Sequence, residues 1–558
     1  MEKIWLKHYP PGVPPDVDTG RYRSLAELLD DCLGRWHDRI AFRCFGQGFG
    51  YARIDALSRA FAAYLQSLGV KRGDRVAVML PNLPQLPVAV AAILRAGGVV
   101  VNVNPQLAPR ELAHLLKDSG AQAIVLLENF AATLQAVVGT LPLRHVVLAA
   151  TGDLLGAVSG RLVNHLVRNV RRQVPEYQLP DAVPFVDALA AGRRLPFVPP
   201  ALGPDDLAVL QYTGGTTGAA KAAVLLHRNI VANLLQCEAW YRPALQRLPA
   251  GEPPLTVAAL PLHHIFGFTV ILMLGLHLGG CSLLIPDPHD TTELLKQLAR
   301  HRVHSFPAVN PLFAAVARHP DVHRVDWSAL QLAVGGGMAV QRATARLWLE
   351  KTGCPICEGY GLTETSPTVT CNPVDGAGWN GSIGFPLPGT ELQLLDDQGA
   401  EVAPGRPGEI AVRGPQVMAG YWQRPDETAR AMTADGWFRT GDIGTVDAQG
   451  RFTIVDRKRD MIMVGGFSVA PNEIEDVVGT MPGVLECAVV GVPDPPAGEA
   501  VKLVVVRQDA GLTEAGVRAW CDAHLPGCKR PRRVEFRDAL PRSAGGKVLR
   551  RELRDAWP

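Results

Sequence analysis

The sequence predicts an α/β protein with a large N-terminal domain of stacked α/β sheets and a small β-barrel-like subdomain. A small C-terminal α+β domain is hinged to it. Three observations predict this. Apolar runs of strand length alternate with stretches of helical periodicity from Leu25 to Val334, as in helices laid on a largely parallel sheet. After Trp379 the texture changes to short strands separated by turn-rich pieces, which is antiparallel or barrel-like material. From Pro471 onward helices and strands alternate again. A chain of 558 residues also exceeds one ordinary core, so it divides into domains.

Each element follows from its pattern. Leu25 to Trp36 and Tyr51 to Leu68 have helical periodicity; Arg75 to Leu80 reads as a strand and Pro87 to Arg95 as the next helix. Val99 to Val103 is a second strand, Pro109 to Ser119 a second helix, and Ala123 to Leu127 a third strand. The pattern recurs at Thr256 to Leu260, Leu294 to Arg300, Ser305 to Val309 and Leu330 to Val334. Between these lies the basic amphipathic stretch Arg161 to Arg172, which reads either as a solvated helix or as one resting its positive face on an anionic membrane. Turns at Asp396 to Gly399, Pro404 to Gly408 and Asp447 to Gly450 separate strands such as Glu409 to Arg413 and Arg451 to Val455. The charged run Asp456 to Asp460 reads as a hinge, so the domains are expected at 1–456 and 457–558, with the hinge at 457–460.

Composition excludes several classes. Hydrophobic residues at 47% and charged residues at 20% describe a globular chain, and a net charge of +2 argues against a nucleic-acid binder. The 10 cysteines are scattered, as in a reducing compartment, although Cys354 and Cys357 have the spacing of a redox pair. The N-terminus lacks an apolar run of signal-peptide length, so a cytoplasmic protein is expected. Phe266 to Ile285 carries no Asp, Glu, Lys or Arg, but Gly279-Gly280 breaks it and His277 interrupts it. A buried helix followed by the strand Cys281 to Ile285 fits better than a membrane span.

The stretch on which the chemistry turns is Thr213, Gly214, Gly215, Thr216, Thr217, Gly218, Ala219, Ala220, Lys221. Leu207 to Leu210 enters it and Ala222 to Leu226 leaves it, so it joins two buried elements. Glycines allow several backbone N–H groups to gather on one anion, threonines add donors, and Lys221 adds charge. The stretch reads as a phosphate cradle, with a glycine-rich surface turn as the plainer alternative. Its spacing is not that of a Walker A loop, and Ala222 follows the lysine. Glu358-Gly359-Tyr360-Gly361-Leu362-Thr363-Glu364 supplies what such a cradle needs. Its glycines admit close approach, Tyr360 offers a flat face to a base, and Thr363 and Glu364 suit phosphate and Mg²⁺. Asp442, on a turn, suits the two hydroxyls of a ribose.

In order, YTGGTTGAAK, PLHHIFG, EGYGLTET, TGD, VDRKRD, GGFSVAPNEIE and PRSAGGK resemble the motifs of adenylate-forming acyl-CoA ligases. GDRVAVMLPNLPQ and GYWQRPDETA extend the likeness over nearly the whole chain, closest to the bacterial long-chain fatty-acid–CoA ligases. The resemblance implies two half-reactions, with ATP, Mg²⁺ and coenzyme A. A carboxylate attacks the α-phosphate of ATP, giving acyl-adenylate and pyrophosphate; the CoA thiol then displaces AMP. It implies that Lys547 is the adenylation lysine, that Arg457 contacts ribose, that the small domain pivots about Arg459, and that Gly465 and Gly466 line the pantetheine route. It puts the motif histidine at His264, between acyl pocket and adenylate, where a satisfied core histidine is the alternative. Phe268 becomes a candidate gate of the acyl tunnel, and Gly335, Gly336 and Gly337 pass beneath the adenine and beside the acyl chain.

Three positions depart from the pattern: Ala222 replaces a usual Gly, Arg459 a commoner Lys, and Gly465 a frequent Ser. None removes a charge that the mechanism needs. A medium-chain or aromatic ligase, a luciferase-like enzyme, an acyl-AMP ligase loading a carrier protein and a non-enzymatic nucleotide-binding scaffold are the rival readings. The expected partners are fatty acid, ATP and CoA, with weak peripheral contact at the inner face of the cell membrane. Monomer and homodimer are both open.

Overall fold

The computed structural model describes residues 2–213, 220–374, 378–403, 405–464, 467–494, 498–542 and 548–554. Among them, two large sheets build the body. In the first, parallel strands His145–Ala149, Ala123–Leu127, Arg75–Met79, Val99–Asn102 and Leu207–Thr213 lie side by side. Lys221–Leu226 and then Gly420–Tyr421 extend that sheet antiparallel. In the second, Cys281–Leu284, Leu255–Ala258, Ser305–Ala308, Leu332–Gly335 and Ile356–Gly361 are parallel, and Thr368–Cys371 is added antiparallel.

The helix Gln85–Arg95 is buried at every position, which its nearly all-apolar sequence requires. Its one charge, Arg95, is met by Asp30 at 2.7 Å, Asp55 at 2.5 Å and the Ser58 hydroxyl at 2.6 Å. Just before this helix, Asn82 joins the sheets. Its amide donates to the carbonyls of Ala258 and Leu260, and its oxygen accepts from the Leu262 N–H.

The turn-rich stretch forms a four-stranded antiparallel sheet of Glu391–Leu395, Gly408–Arg413, Phe438–Val446 and Phe452–Arg457. Beyond it, Val484–Asp494, Gly498–Arg507, Arg533–Arg537 and two short strands make a separate sheet. The helices Pro471–Val478 and Glu514–His524 cover it around a core that includes Ile474, Val489, Leu503 and Val517.

The long uncharged stretch is a buried helical segment, Gly267–Met273 and Leu274–His277, followed by the strand Cys281–Leu284. Among the described residues no helix is long and apolar enough to cross a membrane. Cys354 and Cys357 are buried thiols not joined in a disulfide, and burial pushes Cys354 up to about 11, against the reactive thiolate of a redox pair. The basic stretch is helical over Ala157–His165 and Leu166–Val170; Arg161, Arg171 and Arg172 stay exposed, but Arg168 is drawn out of the expected positive face. Arg168 turns back onto the body and grips the buried Glu128 with bonds of 2.8 to 3.0 Å.

Candidate active site

Leu207–Thr213 and Lys221–Leu226 pair antiparallel as a hairpin, with Thr213 and Lys221, the described ends of the phosphate-cradle segment, at its tip. Thr213 pairs with Lys221, and its hydroxyl donates to the Lys221 carbonyl at 3.3 Å, so the two ends of the tip are side by side. Gly214, Gly215, Thr216, Thr217 and Gly218 lie outside the described residues, as do Gly465, Gly466 and Lys547.

Lys221 has two partners that its own motif does not reveal. Its ammonium is 3.1 Å from Glu427 and 3.6 Å from the centre of the Tyr421 ring. Tyr421 is placed there because Gly420–Tyr421 pairs antiparallel with Ala223 and Val224. Its hydroxyl donates to Glu364 at 2.7 Å. Burial first, and the Glu364 charge second, hold the Tyr421 hydroxyl protonated far above the ordinary phenol range. One aromatic side chain thus bridges the candidate phosphate cation and the candidate metal carboxylate. Tyr421 and Glu427 were missed as functional residues in the sequence reading, although both stand in the quoted stretch GYWQRPDETA.

The opposite wall is made from strand ends. Gly335 pairs with Glu358, and a Cβ on Gly335 would lie 2.5 Å from Val340. Gly336 lets the Phe266 ring approach, and Gly337 takes a left-handed φ of +77°. A Cβ on Gly361 would fall 2.0 Å from the Pro367 carbonyl oxygen, and one on Gly359, opposite Cys371, would meet the Thr370 carbonyl oxygen at a tight 3.3 Å. The Glu358 carboxylate accepts from the Val340 N–H at 2.8 Å, and burial pushes it up to about 8. Thr363 and Glu364 form a short turn after this strand, with Thr363 half-buried and Glu364 buried.

Tyr360 and Asp442, far apart in sequence, meet directly: the phenol donates to the carboxylate at 2.6 Å. Asp442 pairs across the antiparallel sheet with Arg457, whose guanidinium is 3.4 Å from its other oxygen. Arg459 follows in the turn after that strand. Tyr360, Asp442 and Arg457 thus form a continuous chain from the wall to the end of the strand Phe452–Arg457.

The PLHHIFG turn is tied to the cradle hairpin by Gln211, which donates to the His263 carbonyl at 3.1 Å. His264 is exposed, and its carbonyl accepts from the Phe268 N–H at 2.8 Å. Its neighbour His263 is pushed down to about 3, by burial first and His264 second. Phe268 is fully buried in the principal core.

Among the described residues no cluster of three or more acidic, His or Cys side chains is arranged for a metal. A single buried carboxylate such as Glu364 is a donor of the kind Mg²⁺ takes, because that ion keeps several waters and binds one or two carboxylates besides substrate phosphates.

The α/β body, the separate C-terminal sheet and the hairpin–wall–hinge arrangement define an adenylate-forming enzyme. Residues 29–422 match the AMP-binding enzyme family, and residues 473–547 match the AMP-binding enzyme C-terminal domain; the chain belongs to this family. It is 52% identical to a long-chain-fatty-acid–CoA ligase of Escherichia coli O157:H7 over 556 residues, 100% of this chain and 98% of that one. It is likewise 52% identical, with the same coverage, to the long-chain-fatty-acid–CoA ligase of Yersinia pestis. Among solved structures, ATP-bound MatB from Rhodopseudomonas palustris superposes with a TM-score of 0.80 at 30% identity, covering 94% of this chain and 98% of that one.

Proposed function

We propose that this enzyme activates long-chain fatty acids with ATP and joins them to coenzyme A. The observation that carries the proposal is end-to-end identity of about one half to long-chain-fatty-acid–CoA ligases. In the first step a carboxylate oxygen bonds to the α-phosphorus and pyrophosphate leaves. In the second the CoA sulfur bonds to the acyl carbon, its proton is lost, and AMP leaves.

On this reading Thr213, the 214–218 segment and Lys221 hold the triphosphate, with Lys221 exchanging Glu427 for phosphate oxygen. Mg²⁺, when bound at Glu364, neutralises charge on the triphosphate. Thr363 contacts phosphate. Gly335, Gly336, Gly337, Glu358, Gly359, Tyr360 and Gly361 frame the adenine, while Asp442 and Arg457 hold the ribose. His264 marks the border between adenylate and acyl chain, and Phe268 gates the acyl tunnel. Residues 1–456 then form the adenylating domain and 457–558 a domain that turns about Arg459, bringing Lys547 to the α-phosphate and Gly465 and Gly466 to the pantetheine arm. The setting is the cytoplasm, with peripheral contact at the membrane where the substrate dissolves.

Purified protein with ATP, Mg²⁺ and CoA, surveyed over fatty acids of increasing length and aromatic acids, tests the substrate class. The highest kcat/KM is expected on long chains; a maximum on aromatic or medium-chain acids overturns it. Lys547→Ala should slow acyl-adenylate formation by about a hundredfold to a thousandfold, the value of a well-placed charge-stabilising group. Thioester formation from supplied acyl-adenylate should be much less affected.

A further inference from the structure

The helical segment Ala157–His165, continued by Leu166–Val170, has two unlike faces. Its inner face is fastened to the body. Gly160 packs so closely that a Cβ there would be 2.4 Å from the Gly152 carbonyl oxygen. Asn164 accepts from the Gly152 N–H at 2.6 Å, Val167 is buried, and Arg168 holds Glu128.

The outer face carries Val158, Leu162, Leu166 and Val170, which are 83%, 58%, 40% and 63% exposed. Residues at every fourth position share one side of a helix, so these four make a continuous apolar stripe. A helix of a globular protein ordinarily turns such a stripe to the core. Here the core side is taken by Gly160, Asn164 and Val167, and the apolar side is left to solvent. Arg161, Arg171 and Arg172 are exposed along the same segment, and residues 157–175 contain no Asp or Glu. The hairpin turn bearing Phe45, itself 47% exposed, lies against the start of this helix, where the Gln47 amide donates to the Leu155 carbonyl at 2.9 Å.

We propose that this stripe is a docking face for an anionic lipid bilayer. The helix lies in the plane of the membrane surface, with Val158, Leu162, Leu166 and Val170 at the headgroup–acyl boundary. Arg161, Arg171 and Arg172 rest among anionic headgroups. The occupant follows from the charge: an apolar stripe flanked by cations alone matches a surface that is apolar within and anionic at its boundary. The contact is one of apolar insertion assisted by charge, which differs from the purely electrostatic contact a basic helix suggests. It gives the proposed ligase access to acids dissolved in the bilayer, but binding itself does not depend on that activity.

The test is sedimentation of the full chain with vesicles of phosphatidylglycerol and phosphatidylcholine in equal parts, and with phosphatidylcholine alone, at low and high salt. The wild type should sediment with the anionic vesicles and retain part of that binding at high salt. Leu162→Gln with Val170→Gln should weaken vesicle binding about tenfold or more at both salts. Arg161→Gln with Arg172→Gln should weaken it by a similar factor only at low salt, where charges near the surface are unscreened. Thioester formation on detergent-dispersed acid should be unchanged in both variants, separating failure of docking from failure of the enzyme. No wild-type binding to anionic vesicles at low salt overturns the proposal, as does undiminished binding by the Leu162/Val170 variant. A lipid-free dimer that this variant dissociates would also overturn it, because the stripe would then be a seam between two copies.

Discussion

Two buried carboxylates divide the molecule's electrostatics. Glu358 stands in the wall of the candidate site and Asp456 just before the proposed hinge, and both lie out of water. Glu358 has the Val340 N–H at 2.8 Å, and burial, aided by the Asp476 charge, pushes it up to about 8. Asp456 accepts the N–H groups of Arg457 and Asn472 at 2.7 and 3.0 Å and faces the Arg550 guanidinium at 3.6 Å; it is pushed only to about 6. Desolvation acts on both, but a cation and a second donor offset it at the hinge. Near neutral pH the wall therefore presents a mostly uncharged acid, which adds little repulsion toward a bound polyanion. Asp456 is an ionised one that ties the end of its strand to Asn472 and Arg550 of the small domain.

Removing the cation should do the most damage. Arg550 serves three elements at once: Asp456 before the hinge, Asp460 within it, and Glu475 on the small domain's first helix at 2.8 Å. Arg550→Ala strands these carboxylates, and stripping one partner from a largely buried ion cluster costs about 3–4 kcal/mol. The measurement is the denaturant midpoint of the wild type and the variant. A loss below about 1 kcal/mol, the value of an exposed surface pair, would erase the contrast between hinge and wall.

Glu358→Gln sharpens the other side. Because burial raises Glu358 from its ordinary 4.5 to about 8, the native state holds its proton more tightly than the unfolded chain does. Its contribution is complete below pH 4.5 and is lost as pH climbs through about 8. Between pH 5 and 7 that amounts to about 2–3 kcal/mol, and the Gln variant should lack this part of the slope. Asp456→Asn should flatten a different and narrower window, from about 4 to about 6. Unfolding free energies measured over this pH range separate the two. Identical slopes for Glu358→Gln and wild type would show the wall acid to be charged after all.

The sequence made these regions legible to different depths. Gly361 and Gly335 could be read as wall glycines because close backbone approach forbids a side chain, and the order of the motifs placed them. The contact between Tyr360 and Asp442 could be read only as two separate suggestions, since Tyr360 stands on a strand of the second large sheet and Asp442 on the small antiparallel sheet, and only the approach of the two sheets brings their side chains within 2.6 Å. The helix 157–170 was read from its arginines. Its exposed leucine and valine stripe was hidden because a periodic apolar stripe signals a core face, and only the packing of Gly160 on Gly152 shows which side is inward. The helix His227–Leu245 left little periodic signal because it is buried on most sides, and the hairpin Ile40–Cys44 with Gln47–Gly50 is a short element without a strong turn pair.

Tyr421 offers the smallest change and the finest test of how far the wall and the cradle act together. Tyr421→Phe keeps the ring under the Lys221 ammonium and removes only the hydroxyl that donates to Glu364. The cation–π contact survives while the carboxylate loses one hydrogen bond, worth about 1–2 kcal/mol at a charged acceptor. If Glu364 binds Mg²⁺, the hydroxyl orients a metal ligand, and loss of such a support weakens metal binding by about tenfold or more. The Mg²⁺ concentration giving half-maximal adenylation should rise accordingly, while KM for ATP at saturating Mg²⁺ changes little. Tyr421→Ala removes the ring as well and should raise KM for ATP in addition, because Lys221 then loses the surface on which it rests. A Tyr421→Phe variant with lowered stability but an unchanged Mg²⁺ titration would make the tyrosine a structural strut and would take the metal from Glu364.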